Sequence, residues 1–321
     1  MSLILSEFSS ACYHMNMIKE WYLSYAIKKQ WSPDLGVLPT PALIQRLARL
    51  EQVVFLSSSI FTPGEALVQQ YFAVQDQTFA TKQHILQLAA SLVRSFPSPL
   101  FQALLTAARE LQEPIREVEV DRISDQGVMG KLDRTWYVFG DVSCLSMEQI
   151  ELGVTIQTLA NQFEQDGKYT FFLAQKQPKR LLGIFAVARP VATTAPEVTL
   201  DLRSLGLEMS LISDMKQNMA RGFGRQLGIS LVHGDLSEAE QEQLAGSILQ
   251  TQANSLLVAS KESASKWRKR YPEALLIQIG GKKEATEDLI LSELDQLPVL
   301  IRQAQSIIKR AKQRLFWINF N

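Results

Sequence analysis

Three consecutive serines follow a short apolar segment and are the first candidates for chemistry. Ser57–Ser59 come directly after 52–56, an apolar run that predicts a buried strand. A serine hydroxyl becomes a nucleophile beside a general base, and no histidine neighbours this run in the sequence. The sequence therefore favours a polar turn, with a nucleophilic serine as the alternative.

Soft metal ligands cluster near the start of the chain. In the segment Cys12-Tyr-His-Met-Asn-Met17, thiolate and thioether sulfur would suit Cu(I), and the candidate ligands are Cys12, His14 and Met15. Cys12 and Met15 would share one helical face, whereas Met17 would point elsewhere. The sequence favours the alternative, an ordinary amphipathic helix in which methionine fills apolar gaps.

Two basic segments could contact acidic partners. Lys266-Trp-Arg-Lys-Arg270 is typical of a solvated helix face, and a contact with acidic lipid or protein is the alternative. The second segment, 301–321, places apolar residues among cations. Its candidate contact residues are Lys309, Arg310, Lys312, Arg314 and Trp317.

The composition of 301–321 favours an interface between water and an apolar phase. We therefore expect this tail to dock on an anionic membrane surface or on a membrane-embedded protein partner. Ile301, Ile307 and Ile308 would lie on the apolar face. The alternative is that this face packs onto the rest of the protein.

Composition limits the classes of function. The chain has 321 residues, of which 46% are hydrophobic, enough for two domains with separate cores. Its 33 Lys and Arg balance its 33 Asp and Glu, which argues against a nucleic-acid partner. Two cysteines in no paired spacing suit a reducing compartment. No stretch is apolar enough to span a bilayer, so we expect a cytoplasmic location, peripheral to a membrane if the tail docks.

Both helices and strands must position these residues. Helices are predicted over 1–30, 42–50, 81–94 and 99–112, and strands over 52–56, 115–121, 128–140, 169–175 and 181–188. After Arg189-Pro190 the pattern alternates between helix and strand, which predicts a doubly wound parallel sheet. The strand at 52–56 fits beside the later strands, so the middle of the chain would be an insertion.

The segment Gln52–Glu65 resembles, without a gap, the P-type ATPase segment in which a strand delivers the phosphorylation motif Asp-Lys-Thr-Gly-Thr-Leu-Thr. Further similarities follow in the family's order. They lie at 89–100, 127–130, 138–140, 167–168, 181–183 and 205–229, and the tail resembles the segment that enters a membrane helix in the heavy-metal branch.

This resemblance implies the fold and the domain organisation. A haloacid-dehalogenase-like α/β phosphorylation-type domain, with a doubly wound parallel sheet, would comprise 41–62 and 191–321. An inserted α+β nucleotide-binding-type domain would comprise 63–190, and 1–40 would form an N-terminal helical arm.

The same resemblance implies that the catalytic groups are missing. The family's motif aspartate attacks the γ-phosphate of ATP with help from Mg²⁺ and cations. Leu56 stands at the position of that aspartate, and the motif positions Ser57, Ser58 and Ile60 also differ. Asp214 alone remains of a Thr-Gly-Asp motif, and Glu240 stands where the family has a phosphate-contacting lysine. Without phosphate, Asp214 is better explained as a helix N-cap than as a Mg²⁺ ligand.

The nucleotide pocket is also altered. Val93 and Ser98 align with the family's adenine-pocket glutamate and histidine, and Asp125 with a loop glycine. An aspartate there would repel polyphosphate by about 1 kcal/mol when partly solvated. The remaining candidates for nucleotide contact are Gly127, Gly130 and Lys168. We therefore expect nucleotide binding to be weak or absent, and no cofactor.

The sequence thus predicts a non-catalytic, P-type-ATPase-like protein that acts as a binding, scaffold or regulatory module. Two alternatives stay open. The chain could be the cytosolic part of a larger heavy-metal P-type ATPase that has lost these groups, or an active phosphatase or ATPase with relocated chemistry.

Overall fold

The protein is described here from a computed structural model. It describes residues 17, 20–35, 38–61, 66–74, 81–96, 98–124, 126–281 and 289–318, and their side chains except those of 34, 99 and 315–318.

The helices, in chain order, are α1 (20–30), α2 (Pro41–Ala48), α3 (Lys82–Val93), α4 (Pro99–Glu110), α5 (Val142–Met147), α6 (Val154–Gln165), α7 (Ala195–Ser204), α8 (Gln217–Leu227), α9 (Glu238–Thr251), α10 (Lys261–Arg270) and α11 (Gln296–Ile318). The strands are β1 (Gln52–Leu56), β2 (Leu67–Ala73), β3 (Glu119–Ser124), β4 (Gly127–Leu132), β5 (Thr135–Gly140), β6 (Tyr169–Gln175), β7 (Arg180–Ala188), β8 (Glu208–Ile212), β9 (Leu231–His233), β10 (Ser255–Ser260), β11 (Leu275–Ile279) and β12 (Leu289–Leu291).

The described residues form two compact units. The first contains those up to Ile60, Ala192–Asp214 and those from Gln226 onward. The second contains Phe61–Val191 and Met215–Arg225. The domain boundaries expected from the sequence stay a prediction.

A six-stranded parallel sheet forms the first unit, in the order β12-β11-β10-β1-β8-β9. All five residues of β1 are buried, as expected for a strand covered on both faces. Val54 and Leu56 pack with residues of α9 and α10 on one face. Because side chains alternate along a strand, Val53 and Phe55 point to the other face. The predicted doubly wound parallel sheet is confirmed.

The described part of the expected N-terminal arm is α1, and it packs within the first unit. Leu23, Ala26 and Ile27 are buried on one side of this helix. At its end, the main-chain and side-chain oxygens of Gln30 accept hydrogen bonds from Gln303 and Arg310 of α11.

A six-stranded antiparallel sheet forms the second unit, in the order β2-β7-β6-β5-β4-β3. Phenylalanine rings dominate its core, where Phe139 contacts the rings of Phe101, Phe171 and Phe185 at centroid distances of 5.5, 5.8 and 5.5 Å. This is the α+β architecture predicted for the middle of the chain.

Helix α8 follows β8 in the chain, yet residues 215–225 make their contacts with the second unit. The carbonyl oxygen of Gln165 accepts a hydrogen bond from Arg225 Nη2 at 2.8 Å, and a Cβ on Gly222 would lie 2.1 Å from that oxygen. Lys216 Nζ lies 3.0 Å from a carboxylate oxygen of Glu164. Glycine at 222 thus permits a close approach of α8 to the end of α6.

The strand predictions for the second unit are partly wrong. The predicted strand 128–140 is a hairpin of β4 and β5, which turns at Asp133 and Arg134 with φ values of 49° and 68°. The strand predicted at 115–121 begins only at Glu119. Strand β2 and helices α5 and α6 were not predicted.

Candidate functional site

The carboxyl end of β1 is the candidate site in the first unit. β1 lies between β10 and β8, and the chain runs outward from it on one side before returning to the other. Open parallel sheets bind ligands outside the carboxyl ends of their strands at such a switch point. The residues that follow β1, β8 and β10 therefore decide what chemistry this edge can do.

Leu56 ends β1 as an apolar core residue. Its side chain is 4% exposed and packs with Val54, Ile212, Ala259 and Ala264. A leucine side chain offers neither a nucleophile nor a metal ligand. The central strand therefore delivers a packing residue to this edge.

The serines after Leu56 form a single 3-10 turn, Ser57–Ser59. Ser57 and Ser59 are buried, and Ser59 Oγ donates a hydrogen bond to the Leu56 carbonyl at 2.7 Å. Ile60, which follows, is also buried. A hydroxyl that caps its own backbone fits the polar-turn interpretation better than a nucleophile.

Asp214 follows β8 at the same edge. Ser213 Oγ donates to its carboxylate at 3.5 Å, and the Ser213 amide donates to the His233 carbonyl at 2.9 Å. Helix α8 begins at Gln217, so the N-cap position falls on Lys216 rather than on the predicted Asp214. Asp214 belongs to the loop that links β8 to α8.

Glu240 stabilises the start of α9 through hydrogen bonds with Ser237. Its carboxylate accepts hydrogen bonds from the amide and the hydroxyl of Ser237 at 2.8 and 2.6 Å, and the Glu240 amide donates to the Ser237 hydroxyl at 3.4 Å. The hydrogen bond from the hydroxyl is the main cause that lowers the pKa of Glu240. This capping box keeps Glu240 a carboxylate and assigns it a helix-starting role.

An ion-pair cluster beside Leu56 was not predicted from the sequence. Lys266 Nζ lies 2.5 Å from Glu238 and 3.9 Å from Glu242, and Arg270 Nε lies 3.1 Å from Glu242. Trp267 is buried and stacks on Tyr271. The interpretation of 266–270 as a solvated face is therefore wrong for Trp267, and two of its cations bridge to α9. The signal in the sequence is that Glu238 and Glu242 are four residues apart, as are Lys266 and Arg270, so each pair lies on one face of its helix.

This cluster lines a cleft of about 130 Å³ with Leu56 and Ser58. Ligand pockets typically measure about 300–1,000 Å³, so the cleft is too small for a nucleotide. Among the described side chains, no group of three or more His, Cys, Asp and Glu could hold a metal ion. The residues at this edge thus do not fit the Mg²⁺ that the family resemblance implies. The proposed ligands Cys12, His14 and Met15 lie outside the described residues.

In the second unit, the glycines singled out for nucleotide contact have packing explanations. Gly127 pairs with Gly140 on the next strand, and a Cβ on Gly127 would lie 2.4 Å from the Phe139 carbonyl oxygen. A Cβ on Gly130 would lie 2.5 Å from a methyl group of Val118. Protein atoms thus occupy the space beside both glycines.

Three other positions aligned with the nucleotide pocket lie among the described residues: Val93, Ser98 and Lys168. Val93 is fully buried in the core, and Ser98 precedes α4 without capping it through its side chain. Lys168 Nζ lies 5.5 Å from the centroid of the Phe163 ring and 3.8 Å from the Asp166 carboxylate. Asp125 lies outside the described residues. Whether Gly127, Gly130 and Lys168 contact a nucleotide stays a prediction.

The tail is helical, as α11, and its two faces differ. The apolar face is buried in the first unit through Leu297, Leu300, Ile301, Ala304, Ile307 and Ala311. Ile301 and Ile307, which were expected to face an apolar phase, are therefore core residues, as in the packing alternative. The cations Lys309, Arg310, Lys312 and Arg314 are exposed, and the Trp317 side chain lies outside the described atoms. In the part of the chain that the structure covers, no helix is both long and apolar enough to span a membrane.

Proteins similar to the chain in sequence are P-type ATPases. No family model matches the chain. Copper-exporting P-type ATPases of Staphylococcus aureus are 23% identical to it over 278 residues, or 85% of this chain. The chain is a relative of the copper-exporting P-type ATPases. It spans 33% of the length of these curated relatives.

Solved structures support the fold of this P-type ATPase relative. A zinc-transporting PIB-type ATPase matches 92% of the chain with a TM-score of 0.69 and 16% identity, and 47% of that protein is covered. The catalytic domain of the CPx-ATPase CopB-B matches 82% of the chain with a TM-score of 0.55 and 15% identity, and 92% of that domain is covered. Both units thus have counterparts in P-type ATPases.

We expect this P-type ATPase relative to bind ATP and ADP with dissociation constants of about 1 mM or weaker. Val93 is a buried apolar residue at the position that the resemblance aligns with the family's adenine-pocket glutamate, so we expect adenine to lose a polar partner. Isothermal calorimetry with each nucleotide measures the constant, and a nucleotide-binding P-type ATPase domain serves as the positive control. A micromolar constant would contradict the prediction and point to a nucleotide sensor.

Proposed function

We propose that the chain is a non-catalytic member of the heavy-metal P-type ATPase group that acts as a binding, scaffold or regulatory module. The observation that carries the proposal is Leu56. An apolar, buried side chain ends the central strand at the position where the family's motif has its aspartate.

Phosphoryl transfer through this motif needs more than the nucleophile. It needs Mg²⁺ and cations that neutralise the phosphoryl oxygens. Asp214 is the one aligned acid at this edge, and Lys266 and Arg270 are paired with Glu238 and Glu242. Glu240 carries a negative charge at the position of the family's lysine. These features support a loss of phosphoryl transfer.

We further propose a cytoplasmic protein, peripheral to a membrane, that works with a membrane-associated partner. The exposed cations Lys309, Lys312 and Arg314 of α11 support this part of the proposal, because exposed basic groups attract anionic ones. Arg310 is exposed as well and also donates a hydrogen bond to Gln30. Nucleic acid is excluded from the proposal by the balanced charge of the chain.

A second candidate is that the chain is the cytosolic part of a larger P-type ATPase membrane protein. The length of the relatives favours it, since the chain spans 33% of them. Sequencing the native transcript tests this candidate. A continuous reading frame that adds about 20 apolar residues would support it, and their absence would remove it.

The direct test of the proposed function is incubation of the chain with labelled ATP and Mg²⁺. We expect no acid-stable phosphoprotein and no turnover above buffer, because Leu56 cannot form an acyl phosphate. An active P-type ATPase domain is the positive control. A labelled band that hydroxylamine removes would overturn the proposal, and turnover without such a band would favour relocated chemistry.

A further inference from the structure

A pocket of about 450 Å³ opens beside α4 in the second unit. Its lining side chains are Arg94, Gln102, Leu105, Arg109 and Ile115. Small-molecule sites typically measure about 300–1,000 Å³, and the cleft at the end of β1 has only about 130 Å³. The second unit therefore has space for a small ligand at this place.

Helix α4 supplies one wall of the pocket. Gln102, Leu105 and Arg109 are spaced by three and four residues, so their side chains lie on one face of the helix. Gln102 and Arg109 are about 10 Å apart along the helix axis, at 1.5 Å per residue. Leu105 is 4% exposed, and the half-buried Ile115 packs against the same core. The pocket thus combines an apolar floor with polar groups.

The two arginines of the pocket have no partner in the protein. Arg94 is the C-cap of α3 and Arg109 lies in the last turn of α4, and both are exposed. Within the part of the chain that the structure describes, neither guanidinium forms an ion pair or a hydrogen bond. By contrast, Arg116 of the same unit lies 2.5 Å from the Asp133 carboxylate. Two like charges that line one pocket favour a bound anion.

The pocket has two positive charges and, among the described side chains that line it, no negative one. Glu110 and Glu113 are close in sequence but are not part of the lining. Burial is the main cause that raises the pKa of Tyr71 on β2, and the charge of Glu113 adds to it. The Glu113 carboxylate therefore acts on β2 rather than neutralising the pocket.

We infer that this pocket binds a small organic anion, with a phosphate or carboxylate group on a short hydrocarbon skeleton. A guanidinium group is planar and donates two parallel hydrogen bonds to the oxygens of either group. The Gln102 amide adds a neutral donor. Leu105 and Ile115 would contact the hydrocarbon part of the ligand, which explains why the floor is apolar.

This site is distinct from the positions aligned with the family's nucleotide pocket. None of the five such positions that the structure describes lines it: Val93, Ser98, Gly127, Gly130 and Lys168. The inference goes beyond the proposed function by adding a ligand to the binding module. It does not depend on the loss of phosphoryl transfer, because the pocket belongs to the second unit and β1 to the first.

Calorimetry of the full chain tests the site with three probes. Glycerol 3-phosphate carries a phosphate group, succinate carries carboxylates, and glycerol is neutral. We expect at least one of the two anions to bind saturably with a dissociation constant of about 1 mM or tighter, and glycerol not to bind. The anion that binds identifies the preferred group. Adenosine, which has no anionic group, should not displace it.

Exchange of both arginines measures their contribution. The double variant Arg94→Gln and Arg109→Gln should bind the anion about tenfold or more weakly, because it loses both charge-assisted contacts. Arg134→Gln is the matched control, since Arg134 is an exposed arginine of the same unit in the turn between β4 and β5. It should bind as the parent chain does. Circular dichroism verifies that each variant is folded.

Gln102→Glu tests the charge of the pocket without a ligand. The new carboxylate has nearly the shape of the amide and can pair with the arginines, so we expect the thermal midpoint to rise by about 1–3 °C. The same carboxylate should weaken anion binding about tenfold or more. A carboxylate near the start of a helix is favourable by itself, so the substitution is repeated in the double-arginine variant. There the rise should disappear.

Absence of saturable binding by both anions would overturn the inference. Binding by the double-arginine variant at the strength of the parent chain would reject the role of Arg94 and Arg109. An equal rise of the thermal midpoint in both backgrounds would show that these arginines do not share a pocket with residue 102. Each result is independent of the phosphorylation assay, so failure here is distinguishable from failure of the proposed loss of catalysis.

Discussion

Replacing Leu56 with aspartate is expected to lower the free energy of unfolding by about 3–5 kcal/mol. The Leu56 side chain is buried among Val54, Ile212 and Ala259. The substitution removes an apolar side chain from this cluster and places a carboxylate beside Lys266 and Arg270, which already pair with Glu238 and Glu242. Urea denaturation of the parent and the variant measures the difference.

The effect of this substitution should depend on pH. Burial disfavours the charged form of the new carboxyl and raises its pKa above the ordinary value of about 3.9. When folding raises the pKa of a carboxyl group, the free energy of unfolding of the protein decreases as the pH rises through the folded-state pKa of that group. The variant should therefore be least impaired near pH 4 and more impaired at pH 7. Leu56→Asn is the control, because it removes the same apolar contact without adding an ionisable group.

The variant should also form no phosphoenzyme. Ser57 cannot supply the cation of the family motif, and Glu240 is committed to its capping box with Ser237. Preorganised charge contributes most of the stabilisation of a phosphoryl-transfer transition state, so the nucleophile alone is insufficient. A hydroxylamine-sensitive label on Leu56→Asp, or a stability equal to that of the parent, would contradict the prediction.

The first unit could be predicted from the sequence because its strands are buried on both faces. Such strands are short apolar runs between breakers, as in 52–56, and their alternation with helices implies a parallel sheet. Strand β2 was not predicted because it is an edge strand. Its residues, Leu67-Val-Gln-Gln-Tyr-Phe-Ala73, do not alternate between apolar and polar types, and its pairing with β7 shifts register between Val68 and Gln70.

Two features of the candidate site could not be predicted because distant segments decide them. Lys266 meets Glu238 across 28 positions of the chain, which no local pattern encodes. The apolar face of α11 suits a membrane and a protein core equally well in the sequence. Only the position of α11 in the first unit shows that Ile301 and Ile307 are core residues.

Gly127→Ala is expected to lower the free energy of unfolding by about 2–3 kcal/mol. Gly127 pairs with Gly140, and its added Cβ would lie 2.4 Å from the Phe139 carbonyl oxygen and 2.7 Å from the Gly140 Cα. Both are main-chain atoms, so relief of the clash requires β4 and β5 to separate. The Cβ would also lie 2.8 Å from Cys144 Sγ at the start of α5. Thermal and urea unfolding measure the loss.

Gly153→Ala is the matched control for this prediction. No atom lies within 4 Å of the Cβ that it would add, and Gly153 has a φ of −64° that alanine adopts freely. Gly153 precedes α6 as its N-cap, where alanine is the poorer residue, so a loss of up to about 1 kcal/mol is expected. If Gly127 were instead retained for a nucleotide, alanine at 127 would leave stability unchanged and weaken ATP binding. A Gly127→Ala chain as stable as Gly153→Ala would therefore reject the packing explanation, because the space between β4 and β5 would then have to admit a methyl group.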